Sequence, residues 1–232
     1  MSIPKLKSML LPENTDAKAV SERIGELQGY IEMQQIYKAG IREITTKLEI
    51  LDEEFNVRYS HNPIHRIESR LKSLPSTIEK LKRRQLPVTI RSVRENLTDI
   101  AGVRVVCNYI EDIYEIARML TNQSDIKLLR MSDYIREPKP NGYRSLHLVM
   151  DVPVFMSDRT EHVPVEIQIR TIAMDFWASL EHQLRYKSDS DVSEKLREQL
   201  RECAEKSAEL DLEMQSIYKL SLIHISEPTR PE

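Results

Sequence analysis

The chain has 232 residues, of which 40% are hydrophobic and 31% charged, so it can bury a core of its own behind a mixed-sign surface. Because its formal net charge is −3, the chain as a whole does not attract nucleic acid electrostatically. Any site for a polyanion must therefore be a local cluster of Lys and Arg.

Residues 17–52 carry apolar side chains at heptad spacing, which predicts a long amphipathic helix. Three of the five glycines lie in this segment, at Gly25, Gly29 and Gly40, although each lowers helix propensity by up to about 1 kcal/mol. Close packing of the helix against a neighbour explains them. The neighbour is either the protein's own core or a second copy of the chain, and the sequence leaves both open.

The following segment alternates short elements with prolines. Residues 55–60 alternate in polarity like a short strand, and Asn62 followed by Pro63 is typical of a helix start, so a short helix is predicted after this pair. Another helix is predicted to begin at Pro75, and a third to cover residues 90–96.

Four later segments are rich in β-branched and apolar residues and predict further strands. An amphipathic helix, residues 110–120, follows the first of them, and two helices, residues 173–186 and 192–218, follow the last. The predicted fold class is α+β, with a mixed β-sheet of about five strands flanked by helices and long helices at both ends. The four segments are residues 102–107, 126–131, 145–154 and 162–170.

These elements divide the chain into an N-terminal helical segment (residues 1–54), a central domain (residues 55–187), a C-terminal helix (residues 188–220) and a tail (residues 221–232). The tail loses helical periodicity, which predicts disorder. Residues 222–231 also resemble translated sequencing-adapter read-through, so the tail is excluded from functional reasoning.

Cysteine usage and hydropathy indicate the compartment. The two cysteines have no paired spacing, which argues against a disulfide framework and a zinc site. The sequence has no apolar run of about 20 residues and no secretory signal pattern at its N-terminus. We therefore expect a cytoplasmic protein that does not interact with membranes.

Seven basic residues lie within nineteen positions. A bound triphosphate needs several fixed cations, because its charge must be held in a partly dry site. The last three of the seven fit a different role, stabilising a helix C-terminus by about 0.3–1 kcal/mol. For Arg70, Lys72 and Lys80, charge alone leaves both interpretations open. The seven are Arg66, Arg70, Lys72, Lys80, Lys82, Arg83 and Arg84.

Two acids lie at strand positions. Asp99 comes just before the strand at residues 102–107, and Glu166 shares the polar face of the last strand with Gln168 and Arg170, because strand side chains alternate. Two carboxylates brought together across a sheet can hold Mg²⁺, which prefers oxygen ligands and keeps waters for substrate phosphates. A solvated strand face is the alternative, and the isolated Glu-x-Gln-x-Arg pattern favours that alternative.

Residues 138–145 form a loop with two prolines and one glycine. Such a loop has a defined shape, and Tyr143 offers a flat ring on which a base can stack. Taken alone, the loop is equally well an ordinary turn.

Four motifs that follow one another along the chain together resemble the synthetase domain of the RelA/SpoT family, and specifically its small single-domain alarmone synthetases. The likeness covers residues 62–187, and residues 61–65 resemble the RelP-like branch. Ser69 stands where the family usually has glycine. The motifs are Ser69-Arg70-Leu71-Lys72 with Lys80, Asp99-Ile100-Ala101-Gly102-Val103-Arg104, Lys139-Pro140-Asn141-Gly142-Tyr143-Arg144-Ser145-Leu146-His147 and Val165-Glu166-Ile167-Gln168-Ile169-Arg170-Thr171.

The resemblance implies a nucleotidyltransferase-like domain that transfers the pyrophosphoryl group of ATP to the 3′-hydroxyl of GDP or GTP. The product is the alarmone (p)ppGpp of the stringent response, and AMP is released. Asp99 and Glu166 would bind Mg²⁺, and Glu166 is also the implied base for the 3′-hydroxyl. The implied ATP-binding residues are Arg70, Lys72, Lys80 and Arg104, with Arg70 and Arg104 stacking on the adenine.

On the acceptor side, the resemblance implies that Tyr143 stacks on guanine. Asp175 could accept hydrogen bonds from guanine, but its place on a predicted helix favours an ordinary surface acid. The other residues implied to contact GDP or GTP are Lys139, Asn141, His147 and Gln168.

The resemblance also implies a homo-oligomer, expected to be a tetramer, and single-stranded RNA as a further partner. The adjacent His-Asp pair of the family's hydrolase domain does not occur in the sequence, so degradation of the alarmone is not expected. Two alternatives stay open. One is a toxin-like pyrophosphokinase that modifies the 3′ end of tRNA, and the other is a binding module without catalysis.

Overall fold

The computed structural model describes residues 17–187 and 193–226, with side chains described for residues 25–184 and 193–223. Six helices and five strands occur in these ranges. In chain order they are α1 (Ala17–Arg58), β1 (Ile64–Leu71), α2 (Leu74–Arg83), α3 (Ile90–Asn96), β2 (Ala101–Cys107), α4 (Ile110–Thr121), β3 (Lys127–Asp133), β4 (Leu146–Phe155), β5 (Thr160–Thr171), α5 (Ile172–Lys187) and α6 (Glu194–Ser226).

The five strands form one sheet in the order β1-β2-β5-β4-β3. β2 and β5 pair in parallel at its centre, and the other neighbours pair antiparallel. The predicted α+β class with a mixed five-stranded sheet is confirmed.

The core lies on one face of this sheet. Along β5, Val163, Val165, Ile167 and Ile169 are almost completely buried, whereas the residues between them are polar or half-buried. The buried side of α1 packs on this apolar face, and buried side chains of α4 join the same cluster. The opposite, polar face of the sheet is left for chemistry.

Two local predictions between residues 55 and 71 are wrong. Residues 55–58 continue α1 rather than forming a strand, and strand β1 rather than a helix follows Pro63. Asn62 accepts a hydrogen bond from the backbone N–H of Ile64 at 2.9 Å, so it shapes a turn into the strand. The apolar side chains of Ile64, Ile67 and Leu71 have helical spacing, but pairing with β2 overrides that local signal.

The predicted segment boundaries at both ends also shift. The boundary at residue 54 falls inside α1, and α6 continues through residues 221–226, where disorder was predicted. Residues 227–232 of the predicted tail lie outside the described residues.

Two of the three glycines of α1 lie where the helix closely approaches another element. A Cβ atom on Gly40 would lie 3.0 Å from Val163 Cγ1, and one on Gly29 would lie 2.9 Å from Ile90 Cδ1. At these two positions the helix approaches the protein's own sheet and its own α3. A Cβ atom on Gly25 would meet no atom within 4 Å.

Within the described ranges, no helix combines the length and the apolar character needed to cross a membrane.

Gly40 and Gly25 provide a matched test of this packing. Replacing Gly40 with Leu should lower the free energy of unfolding by about 1–3 kcal/mol, because the added side chain must displace Val163 and Val165. Gly25→Leu, in open space on the same helix, should be neutral or stabilising by up to about 1 kcal/mol. Urea unfolding measures both. Equal effects of the two changes would contradict the close approach at Gly40.

Candidate functional site

The polar face of the sheet carries the candidate site, and the register of β2 and β5 determines which residues meet there. Gly102 lies opposite Glu166, and Arg104 lies opposite Gln168. Residues directly opposite each other project to the same face. β1 adds Arg70 beside the Gly102–Glu166 pair, because Arg70 pairs with Gly102. β4 adds His147 beside the Arg104–Gln168 pair, because His147 pairs with Gln168.

Asp99 lies at one side of this face between two lysines. Lys72 Nζ lies 2.9 Å and Lys80 Nζ 2.6 Å from Asp99 Oδ2. Ser73 caps α2, so the helix begins next to Lys72 and carries Lys80 back towards Asp99. The resemblance implies different roles for these residues, Lys72 and Lys80 for ATP and Asp99 for the metal, and the structure brings the three side chains together.

The other oxygen of this carboxylate is different. Asp99 Oδ1 is buried and accepts no hydrogen bond from the described residues. Burial alone would raise the pKa of Asp99, but hydrogen bonds and attraction from Lys80 and Lys72 outweigh it, so the pKa is lowered. The carboxylate is thus ionised, with one oxygen available to a further ligand.

Glu166 lies at the centre of the polar face and is mostly buried. Gln168 Nε2 donates to Glu166 Oε2 at 2.9 Å, and His147 Nδ1 lies 3.6 Å from Glu166 Oε1. Burial would raise the pKa of Glu166, but the contacts with His147 and Gln168 prevail and lower it, against a smaller opposing effect of Asp99. Glu166 is therefore an anion at neutral pH.

Magnesium is the metal that the sequence implies, and the donor set fits it. In the described part of the chain no cluster of three or more His, Cys, Asp or Glu residues could hold a metal ion by itself. Mg²⁺ does not require one, because it is commonly held by one or two carboxylates together with substrate phosphates. The free Oδ1 of Asp99 and the ionised Glu166 provide such a pair.

Arg70 and Arg104, the two residues implied to stack on adenine, lie on neighbouring strands. Arg70 lies on exposed β1, and Arg104 lies on β2 with its guanidinium 3.5 Å from Glu68 and 3.3 Å from Asp175. Gly102, two residues before Arg104 on β2, lies in register between Arg70 of β1 and Glu166 of β5. A Cβ atom on Gly102 would meet no atom closer than 3.6 Å, so this position is an open floor next to Glu166.

Asp175 corrects the prediction of a surface acid. It lies in the first turn of α5, which packs on β2 and β5, and only 5% of the residue is exposed. Its carboxylate contacts Arg66 at 3.0 Å, Arg170 at 3.2 Å and Arg104 at 3.3 Å. Sequence spacing along one helix could not indicate three arginine partners that come from three different strands.

Tyr143 brings the loop of residues 138–145 to the same face. Its hydroxyl lies 2.8 Å from His147 Nε2 and accepts a hydrogen bond from Arg170 Nη2 at 2.5 Å. Lys139 Nζ lies 4.7 Å from the centre of the Tyr143 ring and 4.5 Å from that of Tyr134. The predicted residues Lys139, Tyr143 and His147 therefore form one cluster, and sequence reasoning did not identify Tyr134.

Asn141 has a more structural position than predicted. Its side-chain amide donates to Glu181 of α5 at 3.2 Å, and its carbonyl oxygen accepts from the backbone N–H of Tyr143 at 3.3 Å. The next residue, Gly142, has φ +86°, a left-handed conformation in which other residues are strained. Together Asn141 and Gly142 fix the turn that presents Tyr143.

Helix α6 supports this loop from behind. A Cβ atom on Gly142 would lie 2.5 Å from the Cβ of Ala204, and Arg144 Nη1 donates to the Ala204 carbonyl at 3.4 Å. Thr171, at the end of β5, donates to Asp211 at 2.6 Å, and burial raises the pKa of Asp211 to about 6. The side of α6 that faces the sheet thus packs against the loop of residues 138–145, which we call the acceptor loop.

Arg170 was placed on the polar face by sequence alternation but was given no role. In the structure it is buried and lies among Tyr143, Gln168 and Asp175. The signal that could have identified it was its position two residues from Gln168 and four from Glu166, on the same face of one strand.

Comparisons with known proteins show which family the chain belongs to. Residues 69–191 match the region found in RelA/SpoT proteins. The chain is 46% identical to GTP pyrophosphokinase YwaC of Bacillus subtilis over 184 residues, which cover 79% of this chain and 88% of that protein.

Two solved structures of Bacillus subtilis proteins also resemble it. Small alarmone synthetase 2 is 44% identical, with a TM-score of 0.75, over 82% of this chain and 98% of the other. Small alarmone synthetase 1, bound to its product pppGpp, is 34% identical, with a TM-score of 0.78, over 85% and 98%. The chain therefore belongs to the RelA/SpoT family.

Proposed function

We propose that this protein is a GTP pyrophosphokinase. It transfers the β,γ-pyrophosphoryl group of ATP to the 3′-hydroxyl of GDP or GTP and thereby forms (p)ppGpp and AMP. The observation that carries the proposal is the position of Glu166, an ionised carboxylate between the Asp99 cluster with its two lysines and the Tyr143 cluster with His147. The similarity to GTP pyrophosphokinase YwaC supports the same activity.

On the donor side, Lys72 and Lys80 provide two fixed cations for the ATP phosphates. In the structure they neutralise Asp99, and phosphate oxygens can replace that carboxylate oxygen as their partners. Arg70 lies across from the open position Gly102 on the neighbouring strand, and Arg104 lies two residues after Gly102 on its own strand. The two guanidinium groups can stack on the adenine from two sides.

Magnesium would be held by Asp99 Oδ1 and Glu166, together with oxygens of the substrate. A bound Mg²⁺ supplies Lewis-acid stabilisation of the charge that develops on the phosphoryl oxygens. The lowered pKa values of Asp99 and Glu166 support this role, because ligands for a hard cation must be ionised.

On the acceptor side, the Tyr143 ring offers a stacking surface for guanine, and Lys139 is close enough to meet the acceptor's phosphates. His147 and Gln168 both contact Glu166 and lie near the acceptor ribose in this arrangement. Asp175 is the acid assigned to the guanine N–H groups, which would share its carboxylate oxygens with Arg66, Arg104 and Arg170. Asn141 acts mainly through the loop.

The chemical step is an in-line displacement. The 3′-oxygen of the acceptor forms a bond to the β-phosphorus of ATP while the bond from that phosphorus to the α,β-bridging oxygen breaks, and AMP leaves with the electron pair. Glu166 Oε1 or Oε2 accepts the proton of the 3′-hydroxyl. Because its pKa is lowered, Glu166 is ready to accept a proton, but it is a weak base that depends on the fixed charges around it.

Location and assembly are further parts of the proposal. ATP as the donor supports the cytoplasmic location expected from the sequence. An apolar stripe on α5 supports a homo-oligomer, because Ile172, Phe176, Leu180 and Leu184 recur every four residues and are 42–64% exposed. We propose a tetramer. Single-stranded RNA as a partner remains a prediction.

The activity itself is tested with labelled ATP and Mg²⁺, using GDP, GTP or bulk tRNA as acceptor. The native chain should form a guanosine 3′-pyrophosphate, and Glu166→Gln should lower its rate by about 100-fold or more, because the variant can neither accept the proton nor balance the metal charge. Chelation of Mg²⁺ should abolish the reaction. Label on tRNA alone would indicate the toxin-like activity, and no transfer to any acceptor would exclude catalysis.

The donor site is tested at Gly102. Gly102→Leu should fit the backbone, since a Cβ atom there meets nothing closer than 3.6 Å, but its side chain would occupy the space between Arg70 and Glu166. We expect kcat/KM for ATP to fall by about 100-fold with little change in the melting temperature. Gly102→Ala is the matched control and should retain most of the activity. Full activity of the Leu variant would contradict the proposed adenine site.

The proposed oligomer is tested by light scattering after size-exclusion chromatography. The native chain should elute with a mass of four copies, and Leu180→Arg should reduce that number because it places a charge in the apolar stripe. Val57→Arg, at a position 85% exposed on α1, is the control and should leave the mass unchanged. A monomeric native chain would contradict the proposal.

A further inference from the structure

Arg170 is a buried arginine whose contacts are all made within the protein. Only 4% of the residue is exposed. Its Nη2 donates to the Tyr143 hydroxyl at 2.5 Å and to Gln168 Oε1 at 2.7 Å, its Nη1 donates to Asp175 at 3.2 Å, and its Nε donates to Ser145 Oγ at 3.4 Å. Four of the five guanidinium N–H groups are therefore used.

Three of these four partners are residues assigned to the acceptor nucleotide. Tyr143 is the stacking surface, Asp175 is the candidate for guanine's N–H groups, and Gln168 contacts the catalytic Glu166. They come from the acceptor loop, from α5 and from β5. Among the side chains that the structure describes, Arg170 is the single one that bonds to all three.

The contact with Gln168 fixes the direction of an amide. An arginine has only donors, so the oxygen of the Gln168 side chain must face it. The amide nitrogen then points the other way and donates to Glu166 Oε2 at 2.9 Å. Arg170 therefore determines, through Gln168, which group is presented to Glu166.

The contacts of Arg170 with Tyr143 fix the orientation of the Tyr143 ring. The Tyr143 hydroxyl is held between Arg170 and His147, and the guanidinium carbon of Arg170 lies 5.0 Å from the ring centre. A ring held at its hydroxyl and by a neighbouring cation loses rotational freedom before the base arrives. This lowers the entropic cost of stacking.

We propose that Arg170 is a positioning residue for the acceptor nucleotide. It does not contact either substrate. It holds the Tyr143 ring, the Gln168 amide and the Asp175 carboxylate in the geometry that the guanine nucleotide requires. The proposal rests on the proposed function, because it concerns the acceptor half of the same site.

A purely structural ion pair with Asp175 makes a different prediction. Such a pair would affect the stability of the fold and the use of both substrates alike. A positioning role affects the acceptor in particular, since none of the groups that hold the ATP phosphates, Lys72, Lys80 and Asp99, contacts Arg170 among the described residues. Arg104, assigned to the adenine, shares Asp175 Oδ1 with Arg170, so the test variant must keep a positive charge beside that oxygen.

The first experiment is steady-state kinetics of Arg170→Lys with each substrate varied in turn. Lysine keeps the charge beside Asp175, but one ammonium group cannot reach Tyr143, Gln168 and Asp175 together. The KM for GDP should rise about 10-fold or more, while the KM for ATP should stay within about twofold. Arg159→Lys, at an arginine paired with Glu161 in the β4–β5 turn, is the control and should change neither.

The second experiment is a double-mutant cycle with Tyr143→Phe, which keeps the stacking ring and removes the hydroxyl. Alone, Tyr143→Phe should raise the KM for GDP several-fold. In the Arg170→Lys background Tyr143→Phe should add clearly less than it does alone, because the contact with Arg170 is already lost and only the one with His147 remains. In the Arg159→Lys background, Tyr143→Phe should keep its full effect on the KM for GDP.

Three outcomes would overturn the proposal. They are an unchanged KM for GDP in Arg170→Lys, equal rises in both KM values together with a lower melting temperature, and effects of Arg170→Lys and Tyr143→Phe that multiply. If the native chain forms no guanosine product, the proposed function fails by itself. The same variants are then compared for GDP binding by calorimetry, where a 10-fold weaker Kd for Arg170→Lys supports the proposal and an unchanged Kd overturns it.

Discussion

The parallel pairing of β2 with β5 is the constraint on which the site depends. This pairing sets Gly102 beside Glu166 and Arg104 beside Gln168, so residues more than sixty positions apart share one face of the sheet. A slip of one residue would turn every side chain of β5 to the opposite face. The alternating apolar side chains of β5 prevent such a slip, because they are buried against α1. Core packing on one face thereby fixes the chemistry on the other.

Charge compensation is the second organising feature. Asp99 lies between Lys72 and Lys80, and Asp175 lies among Arg66, Arg104 and Arg170, so each largely buried carboxylate is matched by several cations. Partly buried charges are costly unless they are paired, and in the substrate-free site these cations compensate the two carboxylates. The pairs on the donor side can be exchanged for phosphate contacts, and Asp99 Oδ1 is already free for a metal. The site is thus preorganised for a strongly anionic substrate.

The acceptor side depends on a different kind of support. Tyr143 lies on a loop, and loops alone position side chains poorly. Here Asn141 and Gly142 fix the turn, Ala204 of α6 closes it from behind, and Arg170 holds the ring from the sheet. The long helix α6 therefore supports the loop that carries Tyr143, although it contributes no proposed substrate contact of its own.

The sequence by itself determined the features that rest on local pattern. Alternation over residues 165–170 placed Glu166, Gln168 and Arg170 on one face, β-branched runs indicated four of the strands, and the family motifs indicated the donor and acceptor residues. Tertiary structure decided what depends on partners distant in sequence. β1 has helical apolar spacing and becomes a strand only by pairing with β2, and Asp175 resembles a surface acid until three strands bring arginines to it. Local propensity is worth about 1 kcal/mol or less per residue, so ladder pairing and buried charge pairs prevail where the two conflict.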